Sequence, residues 1–275
     1  MVRIITDSAS DIDAKYASEN DIVVLPVHVL MDGKEYLDRI DITSEEFFEK
    51  LPNLKELPKT SQVPPFEFEQ IFEKYKDDDV IVITMSKGIS GTYQSAMIAK
   101  DEFDNIDVVD STNISCGEKA LVKYAVRLVK EGKTKPEILK LLDEKKNKLH
   151  LVGLMDTLEY LKKGGRISAA VAAIGSILNI KPVVEIIEGK VKMGTKARGL
   201  KNGNSKVKEK IEEYGIDYSM PICMAYSGTN DDPIKLHLDL CGELYQNVEK
   251  DISLIGPSIG THIGPNSIAI AFFSK

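Results

Sequence analysis

The run Asp79–Ser86, DVIVITMS, constrains the fold more than any other part of the chain. A strand with one wet face alternates apolar and polar residues, and this one is apolar almost throughout. It reads as a strand covered on both faces, which is the environment of a parallel sheet between helical layers. Its surroundings agree. VRIIT near the N-terminus and IDVVD at Ile106–Asp110 are further short strands. Between and after them come helical patterns over Asp13–Asn20, Pro64 to Tyr75, from about Gly91, and Ser115–Glu131. Thr43 with Glu46, and Thr134 with Glu137, have the spacing of capping boxes that open two more helices. IVVLPVHVL reads as one strand whose Pro26 marks an edge or a bulge, with DGKEYLD as its turn and partner strand. Strands alternating with helices predict an α/β layered fold with a mainly parallel sheet.

After about residue 148 the texture changes. LHLVGLMDT is a strand, and a short helix LEYLKK stops at Gly164-Gly165. KPVVEIIEGKVKMGTKA is a hairpin turning at Glu188-Gly189-Lys190. A charged helix runs through Tyr214, and PICMAYSG, DISLIGP and the closing SIAIAFFSK are strands around a helix over Pro233–Gln246. A hairpin and a chain-terminal strand point to a mixed or antiparallel sheet flanked by helices. The expected division is an N-terminal α/β domain, 1–148, and a C-terminal α/β domain, 149–275, although no Pro/Gly/Ser-rich linker marks the boundary.

Composition narrows the function classes. Lys+Arg 36 against Asp+Glu 43 leaves a formal charge of −7, so bulk nucleic-acid binding is not expected. No stretch reaches about 18 uninterrupted apolar residues, so stable membrane insertion is not expected either. MVRIITDSASDI, with Asp7 directly after its short apolar run, does not read as a signal peptide. Cys116, Cys223 and Cys241 read as buried small residues in a reducing cytoplasm. With four scattered histidines and no CxxC or HExxH, neither a metal site nor a cofactor is expected.

Three polar loops carry the chemistry. Ser86-Lys87-Gly88-Ile89-Ser90-Gly91-Thr92-Tyr93 stands between a buried strand and a helix. Its glycines let the backbone approach a ligand, and the Ser90 and Thr92 hydroxyls sit with free helix N–H groups. It is an anion site or a capped helix start. Lys59-Thr60-Ser61-Gln62 alone reads best as a helix cap. His262 stands in the Gly- and Pro-rich stretch Gly256–Pro265, read as a loop between two strands. His28, His150 and His237 read as structural. Asp7-Ser8, after the first strand, reads as a cap. The basic run from Lys190 to Lys210, Arg198 included, is a solvated face or a docking patch for an acidic partner or membrane surface. Gly88-Ile-Ser-Gly-Thr92 nearly matches the nucleophile elbow G-x-S-x-G, with Thr92 in place of the last glycine. A serine hydrolase acting on acyl esters through Ser90, Asp156 and His262 is therefore the rival reading. No P-loop and no GxGxxG after a strand is present.

TDSASD (Thr6–Asp11), TSQ (Thr60–Gln62), SKGISGTYQSA (Ser86–Ala96), KKGGRIS (Lys162–Ser168), LNIKPVV (Leu178–Val184) and GTHIGP (Gly260–Pro265), in this order, resemble the DegV family of fatty-acid-binding proteins. The resemblance runs from Val2 almost to the C-terminus. It implies two α/β domains with a long-chain fatty acid, such as palmitate, buried between them. Its carboxylate would be held by Thr60 and Ser90 with His262 close by, and Ser61, Gly91 and Thr92 would be head-group neighbours. It further implies no catalytic residue in this chain. The bound acid would be presented to a separate ATP-dependent fatty acid kinase subunit, and the acyl phosphate passed to an acyltransferase. Arg198, in TKARGLKN, falls in the region that resembles the partner-facing one. The resemblance gives no role to Asp7 or Arg166. The small-residue run SAAVAAIGSILNI, with Ala170, Ala173, Ile174, Ile177 and Leu178, would line the acyl tunnel or pack closely on a sheet.

Overall fold

The computed structural model describes residues 1–168, 179–246 and 248–275. Among the described residues, thirteen strands form three sheets. In chain order they are β1 (Val2–Asp7), β2 (Val23–Leu25), β3 (His28–Met31), β4 (Lys34–Leu37), β5 (Lys59–Ser61), β6 (Asp79–Thr84), β7 (Ile106–Asp110), β8 (Leu149–Leu154), β9 (Ile180–Ile187), β10 (Lys190–Arg198), β11 (Cys223–Tyr226), β12 (Asp251–Leu254) and β13 (Ile268–Phe273).

The order β2-β1-β6-β7 makes a wholly parallel sheet. In β6 the residues Val80, Ile81, Val82 and Ile83 are all fully buried, as the unbroken apolar run requires. The second sheet, β10-β9-β8-β13-β11-β12, is antiparallel except for the β11–β12 pair. Glu188 and Gly189 both take positive φ in the β9–β10 turn, and glycine accepts that conformation without strain. The third sheet, β4-β3-β5, is antiparallel. The expected α/β fold, with a parallel sheet in the first half and a mixed sheet in the second, is observed.

Two readings are corrected. IVVLPVHVL is not one strand: β2 ends at Leu25 at the edge of the parallel sheet, and β3 begins at His28 in the three-stranded sheet. Pro26 lacks an N–H for either ladder and lies where the chain changes sheets. His262 is not in a loop but on the helix Pro257–Ile263, which starts with Pro257 and stops at Gly264, φ 70°. Gly260, which suggested a loop, is a packing glycine. A Cβ there would lie 2.8 Å from the Phe47 ring and 2.9 Å from that of Phe48.

The helix Cys116–Lys130 touches β1 and β6 on one side and β8, β11 and β13 on the other. It is therefore buried nearly all round, and one apolar cluster runs from Ile4 through Leu121 to Phe273, across position 148. Ala170, Ala173, Ile174, Ile177 and Leu178 lie outside the described residues.

Candidate functional site

Thr60, Ser61, Ser90, Gly91 and His262 wall one cavity of about 380 Å³. They come from three segments: β5, the loop after β6, and the helix Pro257–Ile263. Thr60 does not cap a helix, because β5 pairs with β3 and sets Thr60 opposite Val29. The helix Pro65–Lys74 instead starts with proline at its first position and has no side-chain cap.

The Ser90 Oγ accepts the Thr92 N–H at 3.2 Å and lies 3.0 Å from the Thr92 hydroxyl. Ser90 thus serves the helix start and the cavity wall together. Thr92 is fully buried and accepts the Val63 N–H at 3.4 Å, so it stands behind Ser90 and does not line the cavity. Gly91 leaves room for the end of the Gln62 side chain. A Cβ there would fall 1.8 Å from the Gln62 Oε1, whose side chain reaches over to donate to the Ser95 Oγ at 2.7 Å.

The His262 Nε2 lies 2.8 Å from the Thr60 Oγ1. The ring fits because residue 164 is glycine: a Cβ there would stand 2.3 Å from the His262 Nδ1. Burial, aided by the charge of Arg166, lowers the His262 pKa to about 4, so the ring is neutral at pH 7. A histidine whose folded pKa lies below its unfolded value contributes stability that is present above about pH 6.5 and lost as the pH falls toward 4. The stability of wild type relative to His262→Gln should therefore drop by about 1–3 kcal/mol between those pH values, read from urea midpoints. Parallel profiles would mean that the ring protonates as freely as in the unfolded chain.

Three polar wall residues carry no sequence signal of that place, Arg166, Ser258 and Gln62, and the apolar part of the wall is Val27, Met85, Ile89 and Ile259. Arg166 and Gln62 lay inside quoted motifs, KKGGRIS and TSQ, without an assigned role. The Ser258 Oγ is buried without a hydrogen-bond partner among the described residues.

Behind the cavity a buried polar clasp fixes the helix that carries His262. Asp11 accepts from the Arg39 guanidinium at 2.7 Å, the Ser115 hydroxyl at 2.5 Å and the Gly256 N–H at 2.8 Å. Arg39 also donates to the Leu254 carbonyl at 2.8 Å. Asp38 accepts from the Ser8 hydroxyl at 2.8 Å and the Ser258 N–H at 3.4 Å, and burial raises its pKa to about 6. Asp7 is the cap the sequence suggested, accepting the Ala9 N–H at 3.1 Å. It also accepts the Met85 N–H at 2.9 Å, which ties β1 to the end of β6. Burial lifts its pKa to about 7.

The triad Ser90–Asp156–His262 is not assembled. His262 is bonded to Thr60, and Asp156 pairs with Lys181. His237 is buried between Asn204 and Tyr245, and His150 stacks on Tyr214. His28 stands between Glu35 and Glu67. Arg198 is exposed at the end of β10, away from the cavity wall. Among the described residues no cluster of three His, Cys, Asp or Glu side chains could hold a metal, and no helix is long and apolar enough to cross a membrane.

A family model described as "Uncharacterised protein, DegV family" matches residues 1–275. A DegV domain-containing protein of Caldanaerobacter subterraneus subsp. tengcongensis is 35% identical over 280 residues, covering 100% of this chain and 99% of its own. Among solved structures, a fatty-acid-binding DegV family protein from Thermus thermophilus superposes with a TM-score of 0.90 at 31% identity, covering 100% of this chain and 99% of its own. A stearic acid-binding protein from Eubacterium ventriosum does so with a TM-score of 0.89 at 25% identity, with the same coverage. The full-length match and these relatives establish that the chain belongs to the DegV family.

Proposed function

We propose that this chain is a cytoplasmic carrier that binds a long-chain fatty acid, such as palmitate, between units 1–148 and 149–275. In this reading the acid's carboxylate rests in the cavity walled by Thr60, Ser90 and His262. The observation that carries it is the convergence of these three residues, more than 200 positions apart at the extremes, on one small cavity that is otherwise lined in part by Val27, Met85, Ile89 and Ile259. The fatty acids bound by relatives of the same fold support it. Burying a bare carboxylate is costly unless donors satisfy it. Neutral His262 donating from Nε2 to the Thr60 Oγ1 frees the threonine hydroxyl hydrogen for the acid. Ser61, Ser90, Ser258 and the Gly91 N–H are further donors. The tail supplies the affinity: about fifteen methylenes at about 0.8 kcal/mol each offer on the order of 12 kcal/mol before costs.

Native mass spectrometry of the purified protein tests the reading directly, and a co-purifying acid gives the chain length. Ser90→Ala should weaken binding by about 1.5–3 kcal/mol, one hydrogen bond to a charged group. An unchanged affinity in a fluorescent-acid titration would remove Ser90 from the site.

We further propose that the carrier presents its acid to a separate ATP-dependent kinase subunit and passes the acyl phosphate to an acyltransferase. Arg198 would be a docking residue, since it is exposed and a guanidinium pairs bidentately with a carboxylate. Arg198→Ala should then leave acid affinity intact while slowing phosphorylation of the bound acid, and the wild-type rate should fall as salt rises. Loss of acid with normal phosphorylation after reloading would put Arg198 in the pocket instead.

A further inference from the structure

We infer that the buried acids behind the cavity couple ligand binding to proton uptake: a fatty acid anion enters together with a proton that the protein places on the pair Asp7 and Asp38. This rests on the fatty-acid reading above and adds a regulation of the same site.

Asp7, Asp11 and Glu118 are fully buried, and Asp38 is 1% exposed. They crowd around the single turn Ser8–Ser10, on which the helices Cys116–Lys130 and Pro257–Ile263 both pack. Among the described residues, the cation bonded to this group is Arg39, which pairs with Asp11 at 2.7 Å and also feels Asp38 and Glu45. Lys119 is buried nearby on the helix Cys116–Lys130, but its ammonium is turned to Asp251 at 2.6 Å and Asp13 at 3.9 Å. The same helix brings Cys116 toward Asp11, β7 brings Asp110 toward Glu118, and the helix Pro257–Ile263 brings only the neutral ring of His262.

Four buried carboxyls against one guanidinium do not all ionise, because each further charge is desolvated and repelled by the others. Burial accordingly holds Asp7 at about 7 and Asp38 at about 6, and lifts Glu118 well above the usual carboxylate range. The geometry leaves room for protons. Asp38 Oδ1 and Glu118 Oε2 are buried without a hydrogen-bond partner among the described residues, so a proton there displaces no donor. Asp38 Oδ1 and Asp11 Oδ1 each stand 3.2 Å from where a Cβ on Gly256 would lie, so a proton on Asp38 relieves its repulsion with Asp11 directly.

The pair stands one hydrogen-bonded residue behind the cavity. The Met85 N–H donates to Asp7 Oδ2 at 2.9 Å, and the Ser258 N–H to Asp38 Oδ2 at 3.4 Å. The Val27 N–H donates to the Ser8 Oγ at 3.0 Å, which in turn donates to Asp38 at 2.8 Å. Met85, Ser258 and Val27 all line the cavity. A carboxylate placed there adds one more negative charge beside acids that already titrate near neutrality. Their ionised forms become less favourable, so the bound state holds more protons than the free state. Affinity for an anion therefore rises as the pH falls toward the free values of Asp7 and Asp38, and levels off on either side of that window. An uncharged ligand exerts no such pull.

Calorimetric titration of the delipidated full-length protein, in two buffers of different ionisation enthalpy near neutral pH, counts the protons taken up per ligand. Palmitate should take up about half a proton or more, and hexadecanol none. Palmitate affinity should rise about tenfold between roughly pH 8.5 and pH 6 in the same titration. Asp7→Asn and Asp38→Asn keep the side-chain shape and remove one titrating group, and each should cut the uptake by about half. The contrast of acid with alcohol is read on the wild type, so it decides the matter even if a variant fails to fold. No uptake with palmitate, or equal uptake with the alcohol, overturns the coupling and leaves the fatty-acid reading standing. Uptake that persists unchanged in both variants puts the proton on the acid itself or on His262, and overturns it too. If neither acid nor alcohol binds the wild type, both readings fall together.

Discussion

Asp11→Ala should cost about 3 kcal/mol of stability and should loosen the cavity walled by Thr60, Ser90 and His262 as well. Asp11 is wholly buried and holds three donors from three parts of the chain: Arg39, Ser115 and Gly256. Removing a buried carboxylate that pairs with a guanidinium strands the cation and the other donors, at about 3–5 kcal/mol for a fully buried pair. Arg39 retains 24% side-chain exposure and a bond to the Leu254 carbonyl, which sets the expectation at the lower end. The second effect follows from position. Gly256 directly precedes the helix Pro257–Ile263, so its N–H bond to Asp11 fixes where that helix starts and where Ser258 and His262 stand. The measurements are the urea midpoint and fatty acid affinity of Asp11→Ala and Asp11→Asn. Asparagine keeps the shape and one acceptor and should lose less of both. A stable Asp11→Ala protein with wild-type affinity would show that the helix start is held by other contacts.

Asp11 also illustrates what the sequence discloses and what it hides. TDSASD is recognisable as a motif, and its first acid reads correctly as a cap. Nothing local to it says that Asp11 reaches residues 39, 115 and 256, because those bonds exist only once the sheets have met. The same limit applies to Thr60. Its segment looks like a helix cap, and its true role depends on an antiparallel pairing with β3 that residue spacing does not reveal. His262 is conspicuous as a histidine among glycines and prolines, yet those same neighbours conceal its helix. Those glycines are short-range helix breakers whose cost is offset here by close packing on Phe47 and Phe48. By contrast, the parallel sheet was readable from β6 alone, since a doubly buried strand is written in every residue of its run. Arg166, Ser258 and Gln62 were invisible as wall residues for one reason. Each reaches the cavity from a different segment, and none has a local pattern that demands a ligand.

Fatty acid loading should raise the melting temperature of the delipidated protein by about 10 °C. The cavity is assembled from β5, the loop after β6 and the helix Pro257–Ile263, so the unfolded chain has nothing comparable to offer the ligand. A ligand that binds only the folded state adds RT ln(1 + [L]/Kd), about 4 kcal/mol at a thousandfold excess over Kd. At about 2–4 °C per kcal/mol for chains somewhat shorter than this one, a shift of roughly that size follows. Comparison of acids with alcohols separates tail from head. A long-chain alcohol of equal length keeps the apolar gain but cannot accept charge-assisted bonds from Thr60 and Ser90. It should bind about 1.5–3 kcal/mol more weakly, and its melting shift at equal concentration should be smaller. Ser90→Ala should narrow the gap between acid and alcohol while leaving the alcohol's own shift nearly unchanged. If acid and alcohol stabilise the wild type equally, the head group does not enter the cavity of Thr60, Ser90 and His262. If neither shifts the melting temperature, the folded chain holds no buried acyl ligand.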